Sequence, residues 1–304
     1  MVPEPVLSAV TDLLRERLGK GTHLAPPSPV GGGCINPSAR LETTGGEAFF
    51  LKWNPGADPG MFEAEADGLE ALADPGGLRV PGVVGWGGAG TQGAPGWLLL
   101  EFVSVGARSR DYGRRLGEGL AALHAAGAGG PFGWRRSNFI GSLPQANREE
   151  ESWACFWRDR RIGPQLNLAR GGGFFRGGDG KILDTLLDRM EEILPESPDA
   201  GPALLHGDLW SGNYFPDGQG RPVIIDPAVY RGDGEVDLAM MELFGSFPPG
   251  FAEAYGHHRG ISDRYREFGR DLYQLYYLLV HVNLFGGSYV GGSVRAARKV
   301  LSST

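Results

Sequence analysis

Two short apolar runs, each closing on an acidic turn, constrain this chain more than anything else in it. Ala203-Leu204-Leu205 runs into His206-Gly207-Asp208, and Val223-Ile224-Ile225 runs into Asp226-Pro227. An apolar run followed by an acid and a turn reads as a buried strand that delivers a carboxylate to a cleft. Asp208 opens a D-x-x-x-x-N pattern ending at Asn213, and Asp226 follows thirteen residues after Asn213. Asp and Asn are common turn formers, so the pattern alone carries little weight. The preceding His-Gly, the two apolar runs and the second acid give it meaning. Phosphoryl transfer from a nucleotide needs one carboxylate to position the attacking hydroxyl and accept its proton. It also needs a second carboxylate and an amide oxygen to hold the divalent metal that bridges the phosphates. The spacing assigns Asp208 to the first role and Asn213 with Asp226 to the second. Base and amide share one loop, with the metal acid at the end of the neighbouring strand.

That chemistry predicts a lysine on an earlier strand, paired with a glutamate on the following helix. Lys52 follows Phe49-Phe50-Leu51 in a strand pattern, and Glu65 sits on a helix whose apolar face is Phe62, Ala66, Leu69 and Leu72. Glu63 is an alternative, but two positions away it points roughly to the opposite side. Upstream, Val30-Gly31-Gly32-Gly33-Cys34-Ile35-Asn36 lies where a phosphate-covering hairpin belongs. Its glycines, Gly32 and Gly33 among them, would let backbone N–H groups approach phosphate oxygens. The run matches neither G-x-x-x-x-G-K-[ST] nor G-x-G-x-x-G, so its own signal is weak. Glu101-Phe102-Val103 ends the strand Leu98–Leu100, and its backbone is the candidate for holding the adenine edge.

The rest of the pattern divides the 304 residues into two parts. Residues 1–103 read as a small sheet with a leading helix (Val6, Leu7, Val10, Leu13, Leu14, Leu18) and one further helix. Strand-like pieces fall at Ile35–Leu41, Ala48–Trp53, Val83–Gly88 and Trp97–Val103. Residues 104–304 are mostly helical. Stripes there include Tyr112-Leu116-Leu120-Leu123, the Trp153-Phe156-Trp157 group, Ile182 to Ile193, and Phe268-Leu272-Leu275-Tyr276-Leu279. Gly at 51 is more than twice its usual share of about 7%, which reads as glycine-rich turns on a folded scaffold. The charge, 29 Lys+Arg against 36 Asp+Glu, lacks the basic stripe of a nucleic-acid binder. The most apolar run, Leu275–Leu284, is broken by His281 and Asn283 and is too short to span a bilayer. Met1-Val2-Pro3-Glu4 does not resemble a signal peptide. The expectation is a cytoplasmic protein that binds neither membrane nor nucleic acid. Two cysteines give no disulfide framework or metal cluster. Cys155, among aromatics, reads as a core thiol. Cys34, in the glycine run, is a candidate redox thiol that could link two copies, so the chain is expected to be a monomer or a redox-linked dimer. His206 reads as a loop brace, and His257-His258 as a solvated turn.

The chain resembles the fructosamine-3-kinase (ketosamine-3-kinase) family. The markers are Gly32–Asn36, Phe62–Glu65, Ser137-Asn-Phe-Ile-Gly-Ser142 with Pro144-Gln145, Pro164–Leu166, His206–Asn213, Ile225–Tyr230, Glu235–Phe244 and His281–Gly287. His-Gly-Asp with a following Asn and Asp is shared by many small-molecule kinases. Trp210, the Asp-Pro-Ala turn and the Asn-Phe-Ile-Gly-Ser stretch narrow it. The resemblance implies an α+β, bilobal, protein-kinase-like fold with a sheet-containing N-lobe and a larger helical C-lobe. It implies an ATP- and Mg²⁺-dependent phosphotransferase acting on the C3 hydroxyl of free or protein-bound ketosamines, with deglycation as the outcome. An aminoglycoside, choline or homoserine kinase is the alternative. Carried over by position, Asp208 is the base, Asn213 and Asp226 are metal ligands, and Lys52 and Glu65 orient the phosphates. Asp237 braces the catalytic loop or caps its own helix, and Trp210 stacks on substrate or packs in the core. Two departures, Ser137 and Arg231-Gly232-Asp233-Gly234, are expected at the cleft rim.

Overall fold

An antiparallel five-stranded sheet fills the first hundred residues of the computed structural model, which describes residues 1–31, 36–73, 75, 77–88, 95–195 and 201–304. It follows α1 (Glu4–Leu18) and comprises β1 (Ser28–Pro29), β2 (Ser38–Glu42), β3 (Ala48–Asn54), β4 (Val83–Gly87) and β5 (Gly96–Glu101), in the order β1-β2-β3-β5-β4. Between β3 and β4 runs α2 (Met61–Ala73). Strand alternation decides which side chain meets which helix. Leu51, Trp53 and Leu99 pack with Val6, Val10 and Leu14 of α1. Leu98 and Leu100 pack with Phe62, Ala66 and Leu69 of α2. Lys52, opposite Leu98 in the β3–β5 register, therefore faces α2.

The second part is built on one large core. After α3 (Tyr112–Ala126) come the hairpin β6 (Asn138–Ile140) and β7 (Leu143–Gln145), then α4 (Trp153–Phe156), a π-helical segment Trp157–Ile162, and α5 (Gly163–Gly171). These are followed by α6 (Gly178–Asp188), α7 (Met190–Ile193), β8 (Ala203–Leu205), β9 (Tyr214–Pro216), β10 (Pro222–Ile224) and β11 (Tyr230–Gly232). The chain finishes with α8 (Glu235–Leu243), α9 (Phe251–Arg259), α10 (Arg270–Phe285) and α11 (Val290–Ser303). Leu116, Leu120, Trp153, Trp157, Leu183, Leu205, Leu272 and Tyr276 share its interior. Each such side chain contributes roughly 1.5–3 kcal/mol on burial.

Several expectations are revised. The Ile182–Ile193 stripe is two helices, because Arg189 (φ −91°, ψ 6°) leaves the helical region between them. β8 and β10 lie in different ladders: β8 pairs with β11, and β10 with β9. Cys155 is not a core thiol. It sits half-buried on the outer side of α4, its Sγ 3.8 Å from Glu191 and from Arg158, while Trp153, Phe156 and Trp157 take the inner side. His257 and His258 are exposed, but in the last turn of α9. The glycine excess is only partly turns. A Cβ on Gly117 would fall 2.5 Å from the Phe251 carbonyl oxygen, so its absence lets α3 and α9 touch backbone to backbone. No helix among the described residues is long and apolar enough to cross a membrane.

Candidate active site

A cavity of about 460 Å³ opens between the sheet and the helical part. This is a size suited to a small-molecule ligand. Lys52, Glu65 and Glu101–Val103 line it from the sheet side, and Asp208, Trp210, Asn213 and Asp226 from the other.

Lys52 stands at its centre. β3 aims the side chain at α2, where its ammonium lies 2.7 Å from Glu65 Oε1 and 2.5 Å from Asp226 Oδ1. Burial works against that charge, but the Asp226 and Glu65 carboxylates outweigh it and hold the ammonium above its ordinary range. Glu63 turns away and pairs with Arg136 at 3.0 Å. Asp226 follows β10 with φ 57°, a left-handed conformation that non-glycine residues adopt infrequently and Asp tolerates better than most.

Asp208 sits in the loop after β8. Burial, then the neighbouring Asp226 charge, push its carboxyl up to about 7, against the lowering hydrogen bond from Asn213. The Asn213 Nδ2–H group donates to the Asp208 carbonyl at 2.8 Å and to its carboxylate at 3.2 Å. No hydrogen bond reaches Asn213 Oδ1 from the described residues, and Asn213 and Asp226 both line the cavity.

The loop is held from behind. Asp237, fully buried on α8, accepts the His206 N–H at Oδ2 (2.8 Å) and the Gly207 N–H at Oδ1 (2.9 Å), so its carboxylate serves the loop rather than its own helix. His206 Nε2 donates to the Ile225 carbonyl (2.8 Å) and Nδ1 accepts the Asp208 N–H (3.2 Å). The ring ties together the two acid-bearing segments, which backbone bonds from the Ala228 N–H to the His206 carbonyl (2.8 Å) and from the Ile225 N–H to the Asn213 carbonyl (3.0 Å) also join. Burial pulls the His206 pKa down and favours the neutral ring this pattern requires. Gly207 (φ 80°) packs where any Cβ would lie 2.2 Å from the Ala228 oxygen.

Of the three residues expected at the adenine edge, Glu101 and Phe102 spend their N–H groups on Gly82 and Ala48 carbonyls, and the Glu101 side chain bonds Arg79 at 2.5 Å. No protein acceptor among the described residues takes the Val103 N–H. Trp210 is half-buried and lines the cavity. Gly31 and Asn36 border the cleft, while Gly32, Gly33 and Cys34 lie outside the described residues. Neither Ser137 nor Arg231–Gly234 lines the cavity. Ser137 is exposed one residue before the cavity-lining Asn138, and Asp233 is buried against Arg264 and Tyr273.

A family model described as fructosamine kinase matches residues 6–303. The chain belongs to the fructosamine kinase family. A Synechocystis relative carrying the name ketoamine kinase is 40% identical over 280 residues, 92% of each chain. A chloroplastic protein-ribulosamine 3-kinase of Arabidopsis thaliana is 41% identical over 275 residues, 89% of this chain and 81% of that one. A solved Thermobifida fusca structure described as a fructosamine-3-kinase superposes with a TM-score of 0.84 at 33% identity, covering 97% of this chain and 99% of that one. Choline kinase and aminoglycoside phosphotransferase structures share the bilobal, protein-kinase-like fold alone, at 16% identity. Membership in the fructosamine kinase family makes the protein a phosphotransferase.

Residue-by-residue reading missed His124. On α3, its Nε2 donates to Asp237 Oδ2 (3.1 Å) and its Nδ1 lies 2.9 Å from the Tyr255 hydroxyl, all three fully or almost fully buried. Nothing in the local pattern around Leu123 sets it apart from an ordinary helix residue. Tyr277 of α10, which donates to the Gly207 carbonyl at 2.8 Å, was missed for the same reason.

Proposed function

We propose that the protein transfers the γ-phosphoryl group of ATP to the C3 hydroxyl of a ketosamine, a fructosamine or ribulosamine. The observation that carries this reading is the convergence of Lys52, Glu65, Asp208, Asn213 and Asp226 on one cavity within a fructosamine kinase family fold. In this reading residues 1–103 form the nucleotide-covering lobe and 104–304 the catalytic one. Asp208 is the base. It accepts a hydrogen bond from the C3 hydroxyl, aligns it for in-line attack and takes its proton as the new P–O bond forms and the bond to ADP breaks. Lys52, steadied by Glu65, draws charge from the phosphates. The Val103 N–H donates to the adenine edge, with Glu101 and Phe102 shaping that wall. Trp210 stacks on the sugar–amine. His206 and Asp237 hold the loop.

The donor set fits Mg²⁺: one carboxylate and one unpartnered amide oxygen are hard ligands. The described residues hold no cluster of three or more His, Cys, Asp or Glu that could cage a cation, so phosphate and water would complete the shell. Bound at Asn213 and Asp226, the ion would neutralise charge developing on the phosphates. The 3-phosphate sits on C3, β to the amine-bearing C1. Loss of a C1 proton, made acidic by the C2 carbonyl, gives an enaminol from which phosphate leaves C3. Water then hydrolyses the resulting C1 imine to the free amine and a 3-deoxy dicarbonyl sugar. That outcome suits a cytoplasmic repair enzyme.

The test is ATP-dependent ADP release with Mg²⁺ against fructosyl-lysine, ribulosyl-lysine, choline and kanamycin. Turnover is expected with a ketosamine and at least about tenfold weaker with the others. Preference for choline or kanamycin overturns the reading.

A further inference from the structure

The Asn-Phe-Ile-Gly-Ser stretch and Gln145 have no part in the chemistry above, yet they occupy the space between α2 and the Asp226 turn. The two sides of the β6–β7 hairpin face different parts of the molecule. Asn138 borders the cavity, and its Nδ2 donates to the Val229 carbonyl at 2.8 Å, three residues beyond Asp226. Its Oδ1 accepts from Gln145 (2.8 Å) and Asn147 (2.9 Å). Gln145 also donates to the Ala228 carbonyl at 3.2 Å. Asn147 accepts from Arg161 at 2.7 Å. Arg161 is fully buried, rests 3.9 Å above the Tyr230 ring, and has no acidic partner among the described residues. A buried cation without a counter-charge is costly, and the Ala146 and Arg160 carbonyls (2.8 and 2.9 Å) and Asn147 Oδ1 hold this one in a single orientation.

Phe139, one residue on, points the other way. It packs on the cluster of Met61, Phe62, Leu98 and Leu100 and lines the cavity. The preceding residues clamp the outer side of α2. Trp134 Nε1 donates to Asp67 Oδ2 at 2.8 Å, Arg135 bonds Asp67 Oδ1, and Arg136 pairs with Glu63. Glu65, two positions from each of those held acids, leaves the opposite side of α2 and meets Lys52 in the site. Where α2 meets the turn, Gly68 leaves room for Pro227 and Val229, which a Cβ would approach to 3.2–3.3 Å.

We infer that the segment 134–147 is a strut that fixes α2 and the Asp226 turn relative to each other. Phe139 and Asn138 are its positioning residues, keeping Lys52, Glu65 and Asp226 assembled before any nucleotide binds. The functional consequence rests on the kinase reading, whereas the mechanical claim does not.

Amide hydrogen exchange on the whole protein without ligand tests it. Phe139→Ala is expected to speed exchange across α2 about tenfold, Phe139→Leu to leave it near wild type, and Asn138→Ala to speed residues 226–230, with α3 and α10 unchanged in all three. In turnover, Phe139→Ala and Asn138→Ala are expected to raise the half-saturating Mg²⁺ concentration and the KM for ATP about tenfold, leaving the acceptor KM in place. Unchanged α2 exchange, or equal acceleration of every helix, overturns the strut. Should Phe139→Ala fail to fold, Asp67→Asn loosens α2 from its solvent side. The same α2 acceleration is then expected, and an unchanged rate overturns the proposal. The exchange arm needs no activity, so a wild type inactive on ketosamines would refute the kinase reading while the strut is still judged.

Discussion

Asp237 illustrates how much one side chain can organise. Its two oxygens take consecutive N–H groups of the catalytic loop, and His124 donates to the same carboxylate from α3. Asp237→Ala would leave those buried donors without acceptors, at about 1–3 kcal/mol each. Urea unfolding should show a loss of at least about 3 kcal/mol. Asp208 carries a different expectation, because it faces the cavity and its loop is fastened elsewhere. Asp208→Asn should lower turnover about a thousandfold while nucleotide affinity by calorimetry stays within about threefold, a change of less than ~1 kcal/mol. ATP-dependent turnover by that variant at the wild-type rate refutes its role as the base.

Elements explain which parts of the site could be read directly. Lys52 and Glu65 were legible because a strand period and a helix period each fix a direction, and both periods are local. Asp208, Asn213 and Asp226 were legible because their loop and strand ends are contiguous. His124 and Tyr277 were not, because their roles arise only when α3 and α10 pack against that loop. The glycines were misread for a related reason: a close approach of two helices leaves no mark in either helix alone. Two substitutions separate the cases. Gly256→Ala, with open space around its Cβ, should gain roughly 0.5–1 kcal/mol from helix propensity. Gly117→Ala meets the Phe251 carbonyl oxygen at 2.5 Å, and overpacking of about 1–3 kcal/mol should outweigh that gain. Thermal unfolding midpoints that move in the same direction would contradict the helix contact.

Across the whole molecule, a second junction joins the two parts beside Glu101. Arg79 bonds Glu101 at 2.5 Å and Asp217 at 2.7 Å, and Asp217, almost fully enclosed, also pairs with Arg221 at 2.8 Å. Burial opposes the Asp217 charge, but the Arg221 N–H, the Arg221 and Arg79 guanidiniums and the Gln219 N–H together hold its carboxyl well below the usual range. A depressed carboxylate stabilises the fold above its unfolded value near pH 4 and loses that contribution as pH falls below it. Asp217→Asn should therefore be less stable than wild type at pH 7, with the gap in urea midpoint closing as pH falls below about 4. A gap independent of pH would remove this junction from the stability of the fold. Asp226 sets a limit of another kind. Its left-handed backbone costs most side chains roughly 1–2 kcal/mol, with Gly, Asn and Asp the exceptions. Single substitutions there either keep the turn and forfeit the anion, or keep a carboxylate, as glutamate does, and bend the turn. In the proposed mechanism Asp226 supplies a metal-holding anion, so no single substitution keeps both turn and charge, and inactive descendants should carry Asn or Gly on an otherwise intact scaffold.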